Sequence, residues 1–307
     1  MCEAFDPDRP ADIHLSVGAT IESLHHYAFC ASLGAMHSFP KQLNGRLAFV
    51  AVASICALVT LPGLPVHAGE PAIIEAHQKH QKKSFTDSQI IDGFLKTAFG
   101  AEYHLAGRVD RIRKYEIPVR IIVDGGTALR RKQIGKVVAD IGRRVQHLNI
   151  AVVETAGEAN VTVKLVRDRD LYPTLSAFYG EDRANEIRSS LDPQCLSGFR
   201  KNDQFEIERS DVILTTDNGD FTFHDCAYEE ILQSLGPIND TTSVPWTMFN
   251  DNVSMGFFDI YDQYLLNILY DPRIKAGMTV QQVRAVLPQV LADVRIWVAK
   301  INELPAD

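Results

Sequence analysis

The chain lacks the features that mark several large classes of protein. It has no basic excess: 31 Lys and Arg stand against 39 Asp and Glu, for a net charge of -8. No run of basic residues interleaved with aromatics occurs, so nucleic acid is not an expected partner. Gly135-Lys136 lacks the upstream glycine of a phosphate-binding loop. No G-x-S-x-G elbow is present, which removes support for serine hydrolysis on that scaffold. Cysteine is scarce, with five in 307 residues. Internal repeats are absent, and a single stretch is apolar enough to suggest a membrane or a leader.

That stretch runs from Leu47 to Leu64, LAFVAVASICALVTLPGL, just after Lys41 and Arg46. Val66-His67-Ala68 follows as a small-x-Ala site. A basic region, an apolar run and a small-residue site form a secretory signal peptide. Residues 1–35 precede Met36, so Met36 is the expected true start and cleavage is expected after Ala68. A single membrane anchor is the alternative, since about 18 apolar residues suffice for a span; Pro62, Pro65 and Ala68 favour cleavage. The expected organisation is a 1–68 extension plus signal peptide, a polar tail over 69–85, and one folded domain over 86–307. The expected location is periplasmic or secreted, with no stable membrane anchor after cleavage.

Three cysteines fall in the expected leader, and Cys195 and Cys226 remain. An even pair in an oxidising compartment predicts one disulfide. It would close a loop of about 30 residues, worth roughly 3–4 kcal/mol in the chain-entropy model. Two buried free thiols are the alternative. His77 and His80, in the HQKHQKK segment, read as part of a solvated tail.

Periodicity outlines the domain. Thr86 caps a helix through Ile90, Phe94 and Phe99. Pro118 to Val123 is β-branched and reads as a strand ending at Asp124-Gly125-Gly126. Helical spacing covers Arg130 to Leu148. Strands are predicted over 150–153, 159–166 and 205–215, with a mostly helical stretch over 171–190. A helix from about Phe223 to Leu235 stops at Gly236-Pro237. Two more helices cover 259–270 and some twenty residues after Thr279, with a kink expected at Pro288. The fold class is α+β: one twisted mixed sheet packed against a long helix and a site-bearing helix, with C-terminal helices.

The candidate site lies in CAYEEILQSLGPIND, Cys226 to Asp240. Its spacing is that of the metzincin pattern H-E-x-x-H-x-x-G-x-x-H, with every histidine replaced. Glu229, Gln233 and Asn239 occupy the three ligand positions, Glu230 the general-base position, and Gly236 the turn. Residues 86–303 resemble an exported proteobacterial family of unknown function whose domain is similar to the zincin (metzincin-like) fold. The resemblance rests on FLKTAFG (94–100), RIRKYEIPVRIIVDG (111–125), the cysteine pair, EEILQSLGPIND (229–240), MFND (248–251) and LYDPRIKAGM (269–278). It implies a zincin-like domain, with Met248 as the floor of the site and an edge strand near Asp211 to Thr215 that holds extended peptides.

Zinc prefers imidazole and thiolate, whereas carboxylate and amide oxygens suit calcium, magnesium or manganese. The expected state is therefore a site without cofactor, in a non-catalytic domain that binds a peptide or protein in its cleft or on its sheet edge. The alternative is a metal-dependent hydrolase. There Glu230 is the base, and Glu229, Gln233, Asn239 and Asp240 hold a divalent cation. His224 falls about 140° around the helix from Glu229 and is expected to face away.

Overall fold

A computed structural model describes residues 14–16, 70–100, 110–191 and 194–305. The expected leader, its start at Met36 and its cleavage after Ala68 lie outside those residues. Among the described residues no helix is long and apolar enough to cross a membrane.

The elements begin with β1 (His14–Ser16), α1 (Glu70–His80), α2 (Asp87–Ala98), β2 (Val119–Gly125) and α3 (Ala128–Arg144). They continue with β3 (Ile150–Val152), β4 (Val161–Val166), α4 (Asp168–Tyr179), α5 (Glu181–Leu191) and β5 (Cys195–Lys201). The last are β6 (Ile207–Thr215), α6 (Asp220–Gln233), α7 (Ile260–Tyr270) and α8 (Val280–Ile301). Five strands form a mixed sheet in the order β5-β6-β4-β2-β3, and β1 adds to the outer side of β5. β3, β2, β4 and β6 run parallel, while β5 is antiparallel to β6. Parallel neighbours need a crossover, and α3 supplies it between β2 and β3.

Side-chain chemistry sets the helix limits. Thr86 and Thr279 open α2 and α8 with capping boxes, each hydroxyl accepting the N–H of a glutamine three residues on. Thr127 and Asp259 cap α3 and α7 through single bonds. Each such cap is worth about 1 kcal/mol. The sheet obeys the two-residue period of a strand. Val161, Val163, Leu165, Val212 and Leu214 enter the main core, together with Cys195 and Phe199. Leu196 and Ile213 face the other way, into a smaller core with Leu171, Leu175, Ala184 and Ile187 of the α4–α5 hairpin. α6 and α7 are buried along almost their whole length, which explains their weak amphipathic pattern.

Several sequence expectations need correction. Residues 70–80 form a helix rather than a solvated tail; it packs against α6, with His77 edge-on to Phe221 at 5.6 Å between ring centroids. The stretch 171–190 is two helices, broken at Gly180, whose φ of 84° favours glycine. β5 was not anticipated, because Ser197 and Gly198 dilute its apolar alternation. Asp211 to Thr215 lies in β6, which pairs with β4 and β5 on its two sides, so that segment offers no edge. The end strands of the sheet are β1 and β3, and β5 is the outermost strand longer than three residues on its side.

The disulfide joins Cys195 of β5 to Cys226 of α6, with Cα atoms 5.9 Å apart. It ties the site-bearing helix to the outermost full strand of the sheet. Replacing both cysteines by alanine should lower unfolding free energy by roughly 3–4 kcal/mol, the loop-entropy value for this span. Urea unfolding of the variant beside the oxidised chain measures it; an unchanged midpoint would mean that packing alone fixes the helix.

Candidate functional site

α6 carries Asp225, Glu229 and Gln233 at intervals of four residues, hence on one helical face. All three are buried. A buried polar stripe must find hydrogen bonds or charge partners, and two loops fold back to meet it. Asp225 accepts the backbone N–H groups of Met255 and Gly256 at 2.6 and 2.7 Å. Gln233 donates its amide N–H to Asp240 Oδ1 at 2.5 Å. The ends of the stripe thus tether the 254–256 and 237–240 segments, and Glu229 sits between them.

The return of the second segment depends on Gly236. Its φ is 139°, and a Cβ there would stand 2.3 Å from the Arg113 carbonyl oxygen. On the first segment, Asn250 shapes the turn: its Oδ1 accepts the N–H of Asn252 at 3.1 Å and its amide donates to Val244 O at 2.9 Å. These two devices bring Asp240 and Asp251 to Glu229. One oxygen from each of the three carboxylates lies within 4.8 Å of the others. Oxygens on opposite sides of a calcium ion are about 5 Å apart, so the triad fits around one hard cation.

The electrostatics point the same way. Burial raises the Glu229 carboxyl well above the usual range, and the charges of Glu230, Asp240, Asp225 and Asp251 raise it further. Burial also raises Asp251 and Asp225; the Gly256 and Met255 N–H groups oppose the shift at Asp225. Oε1 of Glu229, Oδ1 of Asp251 and Oε1 of Gln233 are buried without hydrogen-bond partners. The donor set of the triad is thus all carboxylate oxygen, the kind a hard cation prefers.

Of the sequence-derived ligands, Glu229 and Asp240 meet, and Gln233 touches Asp240. Asn239 is engaged elsewhere: its amide donates to Lys96 O at 2.7 Å and its N–H to Thr97 O at 3.3 Å, capping the C-terminal turn of α2. Glu230 is fully buried beside Glu229. Met248 lies in the main core, its N–H held by Asp262 Oδ2 at 2.8 Å. His224 faces α3, where it pairs with Gln133 at 3.3 Å, away from the triad as expected. Asp251, the third carboxylate of the triad, has no signal in the sequence beyond its place in the MFND segment. His104 lies outside the described residues.

A family model described as a protein of unknown function (DUF2927) matches residues 87–289. The chain belongs to the DUF2927 family. No curated protein and no solved structure matches it. In this DUF2927 chain the matched span starts with α2 and ends within α8, so it takes in the sheet, α6 and the whole triad.

Behind the triad, Asp259 and Asp262 form a second buried acid pair. Burial raises both; the Asp262 charge adds to the shift at Asp259, whereas the Met248 N–H and the Thr247 hydroxyl hold Asp262 to about 7. A raised folded-state pKa gives stability that is full below the unfolded value, near 4, and is lost as pH rises toward the folded value. Stability from this pair should therefore fall as pH rises from about 4 through about 7, the value at which Asp262 loses its proton in the folded chain. Asp259→Asn keeps the cap oxygen and removes one charge, so it should flatten that fall in urea midpoints measured across the range. A steeper fall in the variant would contradict the assignment. Gly236→Ala should cost about 3 kcal/mol and loosen Asp240; retention of wild-type stability would show that the turn tolerates a side chain.

Proposed function

We propose that this DUF2927 domain is a zincin-like binding module whose former zinc position holds a hard divalent cation of the calcium class. The observation that carries the reading is the convergence of Glu229, Asp240 and Asp251, with no histidine or cysteine among them. Uncompensated buried carboxylates are costly, and a bound cation offsets that cost. The unpartnered amide oxygen of Gln233 supports a fourth ligand. Support for the zincin-like layout comes from one mixed sheet in which β5 runs antiparallel to its neighbour β6, a long helix after its first parallel strand, and the site helix directly after β6.

Binding is better supported than hydrolysis. A water-activating base must reach its substrate, and Glu230 is fully buried. The partner class is an extended peptide added to the outer side of β5. In support, β1 pairs antiparallel there against Ser197 to Phe199, so this side of β5 accepts an added extended segment. The disulfide supports a working compartment that is oxidising, as the expected leader does.

Calcium titration of the full chain tests the cation. A saturable rise in melting temperature is expected, equivalent to about 2.7 kcal/mol at a hundredfold excess over Kd. Glu229→Gln and Asp251→Asn should abolish the rise, and Glu229→Gln should stabilise the cation-free chain by removing a crowded charge. No shift with calcium, magnesium or manganese would defeat the reading. Because the ligands must lose protons, affinity should climb with pH.

A further inference from the structure

A cavity of about 320 Å³ opens where the approach to β2, the turn after α3 and the end of α7 meet. It shares no residue with the acidic triad. Its size falls at the lower end of small-molecule sites, which start near 300 Å³.

Lys114 lies at its base, with 3% of its surface exposed. The ammonium donates to Leu269 O and Ile274 O, both at 2.9 Å. Those carbonyls belong to the end of α7 and the turn beyond it, where the helix dipole favours a cation. An ammonium has three N–H donors, so one remains after these two bonds. Among the described residues no carboxylate pairs with it. Burial lowers its pKa to about 8, with Glu116 opposing and Lys275 adding to the shift. The ammonium also lies over the Tyr270 ring, 5.0 Å from its centroid, and with carbonyls and a ring as its partners it still favours an anion over a neutral ligand beside it.

The rest of the lining says which anion. Lys275 and Glu116 are the other charged groups on the wall, apart from His147, and Glu116 accepts the N–H of Ala276 at 3.0 Å. Asp271 also acts on Lys114 but is neutralised by Arg273 at 2.6 Å, so the two lysines against Glu116 leave one net positive charge, which a monoanion neutralises. A phosphate dianion would exceed it and meet Glu116. Ile117, Leu148 and Pro272 supply apolar wall, and Ile117 keeps 57% of its surface exposed.

We propose that this cavity binds a small amphipathic monocarboxylate, with its carboxylate on Lys114 and Lys275 and its apolar body against Ile117, Leu148 and Pro272. Fatty-acid-like and aryl carboxylates of modest size fit the volume and the charge count.

Isothermal titration of the full chain with hexanoate, phenylacetate, hexanamide and inorganic phosphate tests this. At least one of the two carboxylates should bind saturably, and hexanamide and phosphate far more weakly. Lys114→Met should weaken the carboxylate by about tenfold or more, the loss of a charge-assisted hydrogen bond. Lys275→Glu, at the exposed rim, should weaken it severalfold and carries the test alone if the buried variant fails to fold. The proposal is overturned if neither carboxylate binds, if hexanamide or phosphate binds as well, or if Lys275→Glu leaves carboxylate affinity intact.

Discussion

Desolvation of charge is the constraint on which the rest of this molecule depends. α6 is buried almost throughout, yet one of its faces is Asp225, Glu229 and Gln233. Water is removed from that face, so the chain must supply what water would have supplied. It does so with the backbone N–H groups of Met255 and Gly256 for Asp225, and with the Asp240 carboxylate on a returning loop for Gln233. The irregular segments after α6 owe their paths to these bonds more than to apolar packing.

The buried cations follow a parallel rule. Arg113 and Lys114 are adjacent and both buried, and neither meets a carboxylate. Arg113 donates to Ala98 O at 3.3 Å and Gly100 O at 2.6 Å, at the end of α2. Lys114 does the same at the end of α7. Successive side chains of an extended segment point to opposite sides, so one dipeptide closes two helices. Burial draws the guanidinium down to about 9, and its Nε and Nη1 lack partners. Asp225 met by N–H groups, and Arg113 and Lys114 met in part by carbonyls, leave buried opposite charges apart, the acids around α6 and the bases just before β2.

Much of the fold was legible in the sequence because its signals are local. Thr86, Thr279 and Asp259 announce helix starts, and the β-branched runs give β2 and β4. β5 was illegible because a strand buried on both faces can include Ser197 and Gly198 without alternation, and α1 because its polar side hides the contact at His77. At the site, the spacing of Glu229, Gln233 and Gly236 gave the helix face and the turn correctly. It could not reveal that Asn239 serves α2 or that Asp251 arrives from a separate loop, since both facts depend on contacts distant in sequence. The edge strand was misplaced for the same reason: β6 looks half-exposed in one dimension and is central in three.

Cys226 directly follows Asp225, and its sulfur is bonded to the outermost full strand. A helix held only by packing can roll a few degrees about its axis. This one is stopped by a covalent strut anchored outside the helix layer, one residue from the polar stripe. The azimuth of Glu229, and with it the distance at which the two loops face each other, is thus set by the position of β5. The strand and the helix face that carries the acidic cluster are held at one fixed spacing by a covalent bond.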